Sequence, residues 1–202
     1  MDLTNTNTQI AIGIGVAVLL IIVIVAVVMA RKKRSEHLRK QFGPEYDKVL
    51  QQHGDARHAE AVLAEREKRV DKFTIRSLSA ADRERFLADW ANVQRRFVDD
   101  PAFAVNEADA LVTQVMASRG YPMADFEQRA ADVSVNYPRV VQNYRAARVI
   151  VVRYGQGQAS TEDLRQAMVH YRSLFEELLE APKGLAPTVE EVKGVSRERV
   201  AS

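Results

Sequence analysis

The sequence predicts an all-α protein, one N-terminal transmembrane helix followed by an antiparallel helical bundle of about six helices. Three observations carry that expectation. Residues 10–30 form a run of 21 positions with no charged or strongly polar side chain. Beyond residue 40, apolar side chains recur at helical spacing between proline and glycine punctuation. No segment there reads as a convincing strand. The one β-branched patch, Val149-Ile150-Val151-Val152, fits the period of its helix, with a buried strand as the alternative.

Residues 1–9 (MDLTNTNTQ) make a short polar N-terminus with one acid, Asp2, and no Lys or Arg. At helical rise the next 21 residues span roughly 31 Å, the thickness of a bilayer's hydrocarbon core. A lone apolar segment in lipid must satisfy its own backbone, which makes residues 10–30 a helix. A cleavable signal peptide would need a basic leading region, a shorter apolar stretch and small residues at a cleavage site. Here the run ends instead in Met29, Ala30 and the basic stop Arg31-Lys32-Lys33-Arg34, the pattern of a retained anchor. Residues 31–40 form a basic juxtamembrane segment, six basic side chains against one acid, Glu36. Basic flanks stay in the cytoplasm, so the N-terminus is expected outside the cell membrane and the body at its cytoplasmic face. Arg31, Lys32, Lys33 and Arg34 are also candidates for contact with anionic headgroups, worth about 1 kcal/mol per basic residue near the surface. The pairs Ala11/Gly15 and Gly13/Ala17 have the small-xxx-small spacing through which two spans can approach, so a homodimer through the span is a candidate assembly.

The bundle is assigned to residues 41–180. Gly43-Pro44 opens a short helix toward Gln52, and Gly54-Asp55 opens a long charged stretch to about Phe73. Ser79 with Asp82 makes an N-cap and a capping-box start. Phe86, Trp90, Val93 and Phe97 follow at i, i+4, i+7 and i+11. That helix stops at Asp99-Asp100-Pro101, where an acid caps the next helix and proline takes its first position. Val105, Ala108, Leu111, Val112 and Val115 share a face up to Arg119-Gly120, where glycine suits the left-handed cap position. A short helix carries Met123, Phe126, Ala130 and Val133, and Pro138 opens another with Val140, Val141, Tyr144, Ala147 and Val151. Past a loop flanked by Gly155 and Gly157, Ser160 with Asp163 caps a last helix whose stripe is Leu164, Met168, Tyr171, Phe175 and Leu178. Residues 181–202 hold Pro182, Gly184, Pro187 and Gly194 and no aromatic side chain. They bury too little to offset their ordering entropy and read as a flexible tail.

Charge and composition narrow the function. The formal net charge is +2, but beyond residue 40 there are 23 basic and 25 acidic side chains, a net of −2. A body so balanced lacks the basic face that nucleic acid requires. With no cysteine, a disulfide framework, a thiolate zinc site and a cysteine nucleophile are all excluded. His53 and His58 are five apart across a glycine, not the i, i+4 pair that puts two imidazoles over one zinc, and read as a polar turn and a solvated helix face. His170 sits beside an apolar stripe and reads as a boundary residue. Glu65 and Arg69 are expected to form an i, i+4 surface pair, and Asp99 and Asp100 are explained by capping. Gly155-Gln156-Gly157 lacks the strand and lysine of a phosphate loop. No catalytic constellation, metal site or cofactor is expected from this inventory. Arginine outnumbers lysine 18 to 5 beyond residue 40, a bias consistent with recognition of carboxylate or phosphate or with GC-rich codon usage. Within a cluster of tyrosines and arginines, Arg145 and Arg148 lie three apart and are the candidate partner surface, expected to leave one exposed helix face.

The strings Phe42-Gly43-Pro44-Glu45-Tyr46-Asp47, Arg119-Gly120-Tyr121-Pro122 and Ser160-Thr161-Glu162-Asp163-Leu164-Arg165, with His170-Tyr171-Arg172, together resemble an uncharacterised family of bacterial membrane-anchored proteins. The resemblance covers residues 41–179 and implies one N-terminal span and a helical domain. It implies no activity, so no site residue is carried over. The expectation is a membrane-tethered helical interaction or scaffold module at the cytoplasmic face, with the lipid bilayer and an unidentified protein as partners. The alternatives are a small membrane-anchored enzyme and, with reversed topology, an extracytoplasmic helical domain.

Overall fold

A computed structural model describes the backbone of residues 3–180 and the side chains of residues 15–180; the tail assigned to residues 181–202 lies outside them. The described residues form eight helices and no strand: α1 (Leu3–Phe42), α2 (Pro44–His53), α3 (Ala56–Val70), α4 (Ala80–Asp99), α5 (Pro101–Ser118), α6 (Phe126–Asn136), α7 (Val141–Gly155) and α8 (Thr161–Leu179). Seven helices therefore follow the first, against the six or so expected, and the patch at 149–152 is helical. The chain divides into two compact units, Met1–Gln41 and Phe42–Ser202.

In the first unit, α1 is a single helix of 40 residues, so the apolar run and the basic segment are one element. The reason is local. Between Arg31 and Phe42 there is no glycine or proline, and Arg, Lys, Leu, Glu and Gln propagate a helix well. Arg39 and Lys40 in the last turn complement the negative end of the helix dipole. From Gly15 to Phe42 the helix is long and apolar enough, by length and composition, to cross a membrane. Leu19, Ile22 and Ile24 on it are exposed, as are Arg31, Lys32, Lys33 and Arg34. Of the small-residue pairs, Ala11 and Gly13 fall outside the residues whose side chains are described.

In the second unit, five helices start on a side-chain cap. Asp55, Ser79, Asp100, Asp125 and Ser160 accept from the backbone N–H of His58, Asp82, Phe103, Gln128 and Asp163 at 2.9–3.2 Å. At Ser160 the box is closed by its own N–H donating to Asp163 Oδ2 at 2.7 Å. Two starts differ from the sequence expectation. The Asp125 cap delays α6, leaving Met123 outside it and exposed. Pro138 lies in a turn, and α7 begins at Val141, whose N–H bonds to the Tyr137 carbonyl.

The core forms around α5, which packs on both α4 and α8, while α8 also packs on α7. The expected stripes of α5 and α8 are buried throughout, and α4 contributes Phe86, Trp90 and Val93. Trp90 stacks on Phe175, ring centroids 4.6 Å apart at 18°. On the far side α3 packs on α2 and α6, and α6 on α7.

The end of α5 is a complete Schellman turn: Tyr121 N–H donates to Met116 and Gly120 N–H to Ala117. Gly120 takes φ 94°, and a β-carbon there would lie 2.3 Å from the Thr74 carbonyl oxygen. Arg119, fully buried beside it, reaches the end of α8, where Nη1 donates to the carbonyls of Leu178 and Glu180 at 2.5 and 2.6 Å. Burial depresses the proton affinity of this guanidinium, with Tyr137 and Tyr121 opposing.

Two outcomes follow. Trp90→Ala, which empties a buried aromatic site, should destabilise the body by about 3–5 kcal/mol in denaturant melts followed by circular dichroism. Gly120→Ala should cost more than about 1 kcal/mol in the same assay, because the left-handed backbone and the Thr74 carbonyl both oppose a β-carbon.

Candidate functional site

The densest chemistry in the second unit is built on two buried carboxylates. Gly43 (φ 47°) and Pro44 at the first helical position start α2, whose Glu45, Tyr46 and Val49 then share one face, with Phe42 at the end of α1 just before it. All four are buried, and Glu45 is the charged one among them. Three donors from two other helices converge on it. Arg66 Nη1 from α3 donates to Oε1 at 2.9 Å, while Gln142 Nε2 and Arg145 Nη1 from α7 donate to Oε2 at 2.6 and 2.7 Å. The Arg66 and Arg145 side chains are each 13% exposed. Beside this network Tyr46 Oη donates to Glu60 Oε1 at 2.9 Å.

Asp132 of α6 is the second buried carboxylate. Its Oδ1 accepts from Arg69 Nε at 2.8 Å, from Arg69 Nη2, and from Gln128 Nε2 at 2.9 Å. Arg69 therefore pairs across to α6, and the expected surface pair with Glu65 is absent. Glu65 is exposed to solvent, whereas Asp132 is buried, so the guanidinium serves the buried acid.

Between these two networks α2, α3, α7 and the start of α6 border an open cleft of about 500 Å³. Charge is sorted by depth in it. The half-buried Lys48, Arg66, Arg69 and Arg145 line the inner wall, and the exposed Glu65, Asp125 and Glu127 line the rim. Lys48 has no hydrogen bond or ion pair among the described residues. Burial first, then the Arg145 guanidinium, holds its ammonium below the ordinary lysine range, with Glu45 and Glu127 pulling the other way.

The residues singled out from sequence fall as follows. Arg145 is committed to Glu45 and largely enclosed, while Arg148 is exposed with its guanidinium 5.6 Å from the Phe126 ring centroid. The two do not leave one shared exposed face, because the buried acid draws Arg145 inward. His53 and His58 are exposed, their rings 4.6 Å apart across the Gly54-Asp55 turn, and His170 is half-buried. Among the described residues no group of three or more His, Cys, Asp and Glu side chains could hold a metal ion. Glu45, Asp132, Lys48 and Arg66 escaped the sequence reading as site residues. One signal for Glu45 was present, a carboxylate one turn before Val49 and beside Tyr46 on the apolar face of a helix that opens at Gly-Pro.

Glu45→Gln keeps the shape of the side chain and removes the charge that two enclosed guanidiniums depend on. It should lower unfolding free energy by about 3–5 kcal/mol, the cost of breaking a buried ion pair from one side. Equilibrium denaturation compared with Glu65→Gln, which should be near neutral, checks this.

No protein-family model, curated protein or solved structure matches this chain.

Proposed function

We propose that this protein is a membrane-tethered helical interaction module. In this reading residues 10–30 of α1 cross the cell membrane once, the N-terminus lies outside, and α2–α8 form an antiparallel bundle at the cytoplasmic face that engages a protein partner. The observation that carries the proposal is the direct succession, within one helix, of an exposed apolar run and the exposed basic cluster Arg31-Lys32-Lys33-Arg34. A retained span needs the first, and the positive-inside bias reads the second. The resemblance to single-span bacterial proteins with a helical domain points the same way.

The test of orientation uses the absence of native cysteine. In intact cells Thr4→Cys should react with a membrane-impermeant maleimide, and Gln156→Cys should react only after lysis. Labelling at Gln156 before lysis would reverse the topology. Detergent extraction and affinity capture of the full chain, with partners identified by mass, tests the module reading; recovery of lipid alone would remove it.

A further inference from the structure

We propose that the cleft between α2, α3, α6 and α7 is a binding site for a phosphate monoester, held by Lys48, Arg66 and Arg145. The inference goes beyond the tether reading and stands for either orientation of the body. Its first support is the depth sorting of charge. Four half-buried cations line the inner wall, and the buried Glu45 and Asp132 offset two of them. Two positive charges remain inside, the complement of one phosphate-monoester dianion.

The rim carboxylates offset this excess only in part. Glu65, Asp125 and Glu127 are exposed, so water weakens their fields more than those of the half-buried wall, although Glu127 still reaches Lys48. Charges on the inner wall are screened far less. Asp125 also has its own duty as the α6 cap.

Unused donors are the second support. The Lys48 ammonium lines the cleft and has no hydrogen-bond acceptor among the described residues. An oxyanion in the cleft would supply the acceptor that the half-buried ammonium lacks. Guanidinium with ammonium is the pairing suited to phosphate, one giving planar directed donors and the other a compact point charge. At about 500 Å³ the cleft has the size of a small-molecule site. Its polar wall favours a polar ligand over an apolar one.

Free phosphate monoesters and phosphatidic acid headgroups share this chemistry, so the experiment has two arms. The full chain in neutral detergent is titrated calorimetrically with glycerol 3-phosphate, with glycerol as control, and separately with phosphatidic acid doped into the micelles. Because Arg31–Arg34 can attract any anionic lipid, the readout in both arms is dependence on Lys48. Saturable one-to-one binding is expected in at least one arm, weakened about tenfold or more by Lys48→Met. Glu127→Gln, which removes a rim carboxylate, should bind at least as tightly as the unaltered chain. The arm that responds identifies the source. Neither residue belongs to the Glu45 network, and unchanged circular dichroism melts confirm that the variants fold. Absence of saturation in both arms, or equal affinity in Lys48→Met, overturns the proposal.

Discussion

A single carboxylate without solvent exposure constrains the arrangement of the second unit. Removing Glu45 from water carries a desolvation cost of several kcal/mol, recovered only where donors of good geometry converge. Here the donors come from 21, 97 and 100 residues away, Arg66 on α3 and Gln142 and Arg145 on α7. Satisfying one side chain therefore joins three helices. A shift of α7 by a turn or a rotation of α3 would strand a charge in a low-dielectric interior, where unpaired groups are penalised most. The left-handed Gly43 and the proline after it set the angle at which α2 brings Glu45 to that point.

The second buried acid obeys the same rule and shows how the rule selects partners. Arg69 has an acid one turn away on its own helix, yet it crosses to Asp132. Local sequence spacing favours the first pairing by tenths of a kcal/mol, whereas leaving Asp132 unpaired would cost several. Two such decisions, at Glu45 and Asp132, pull guanidiniums toward the interior and leave the unclaimed carboxylates at the edge. The charge layering of the cleft is thus a consequence of how the fold is held, which ties a binding surface to a stability device.

At the other end of the unit, backbone chemistry takes the place of ion pairs. α8 ends in an extended residue, Glu180, with no glycine to turn its last carbonyls, and the buried Arg119 guanidinium serves them instead. Arg119 is in turn fixed by the Schellman turn it sits in. The Arg119 carbonyl accepts from Arg76 N–H at 3.0 Å and that of Ser118 from Arg76 Nε at 2.9 Å, which ties the segment before α4 to the end of α5. Close approach of that segment adds to the left-handed backbone in requiring glycine at 120.

How much of the fold is legible in the sequence follows from the range of each interaction. Capping bonds reach three residues and apolar stripes repeat every three or four, so Ser79, Asp100 and Ser160 as caps, the buried faces of α5 and α8, and the apolar length of α1 could all be read in order. Boundaries blurred where two local signals competed, as at Met123 and Pro138, since a cap or turn decides by its bonds and not by its residue type. The continuity of α1 through the basic segment was equally local, yet the change from apolar to charged side chains disguised an unbroken run of helix formers. The cleft was not legible. Arg145 looked like an exposed neighbour of Arg148 because helical spacing gives angular position only, and which side chain turns inward depends on a carboxylate 100 residues earlier. The sequence alone determined the helical class, the capped starts and the apolar run, because those rest on contacts within a few residues. Tertiary structure alone decided which charges are buried, paired and left over, because desolvation is a property of what surrounds a group in space and not of its neighbours along the chain.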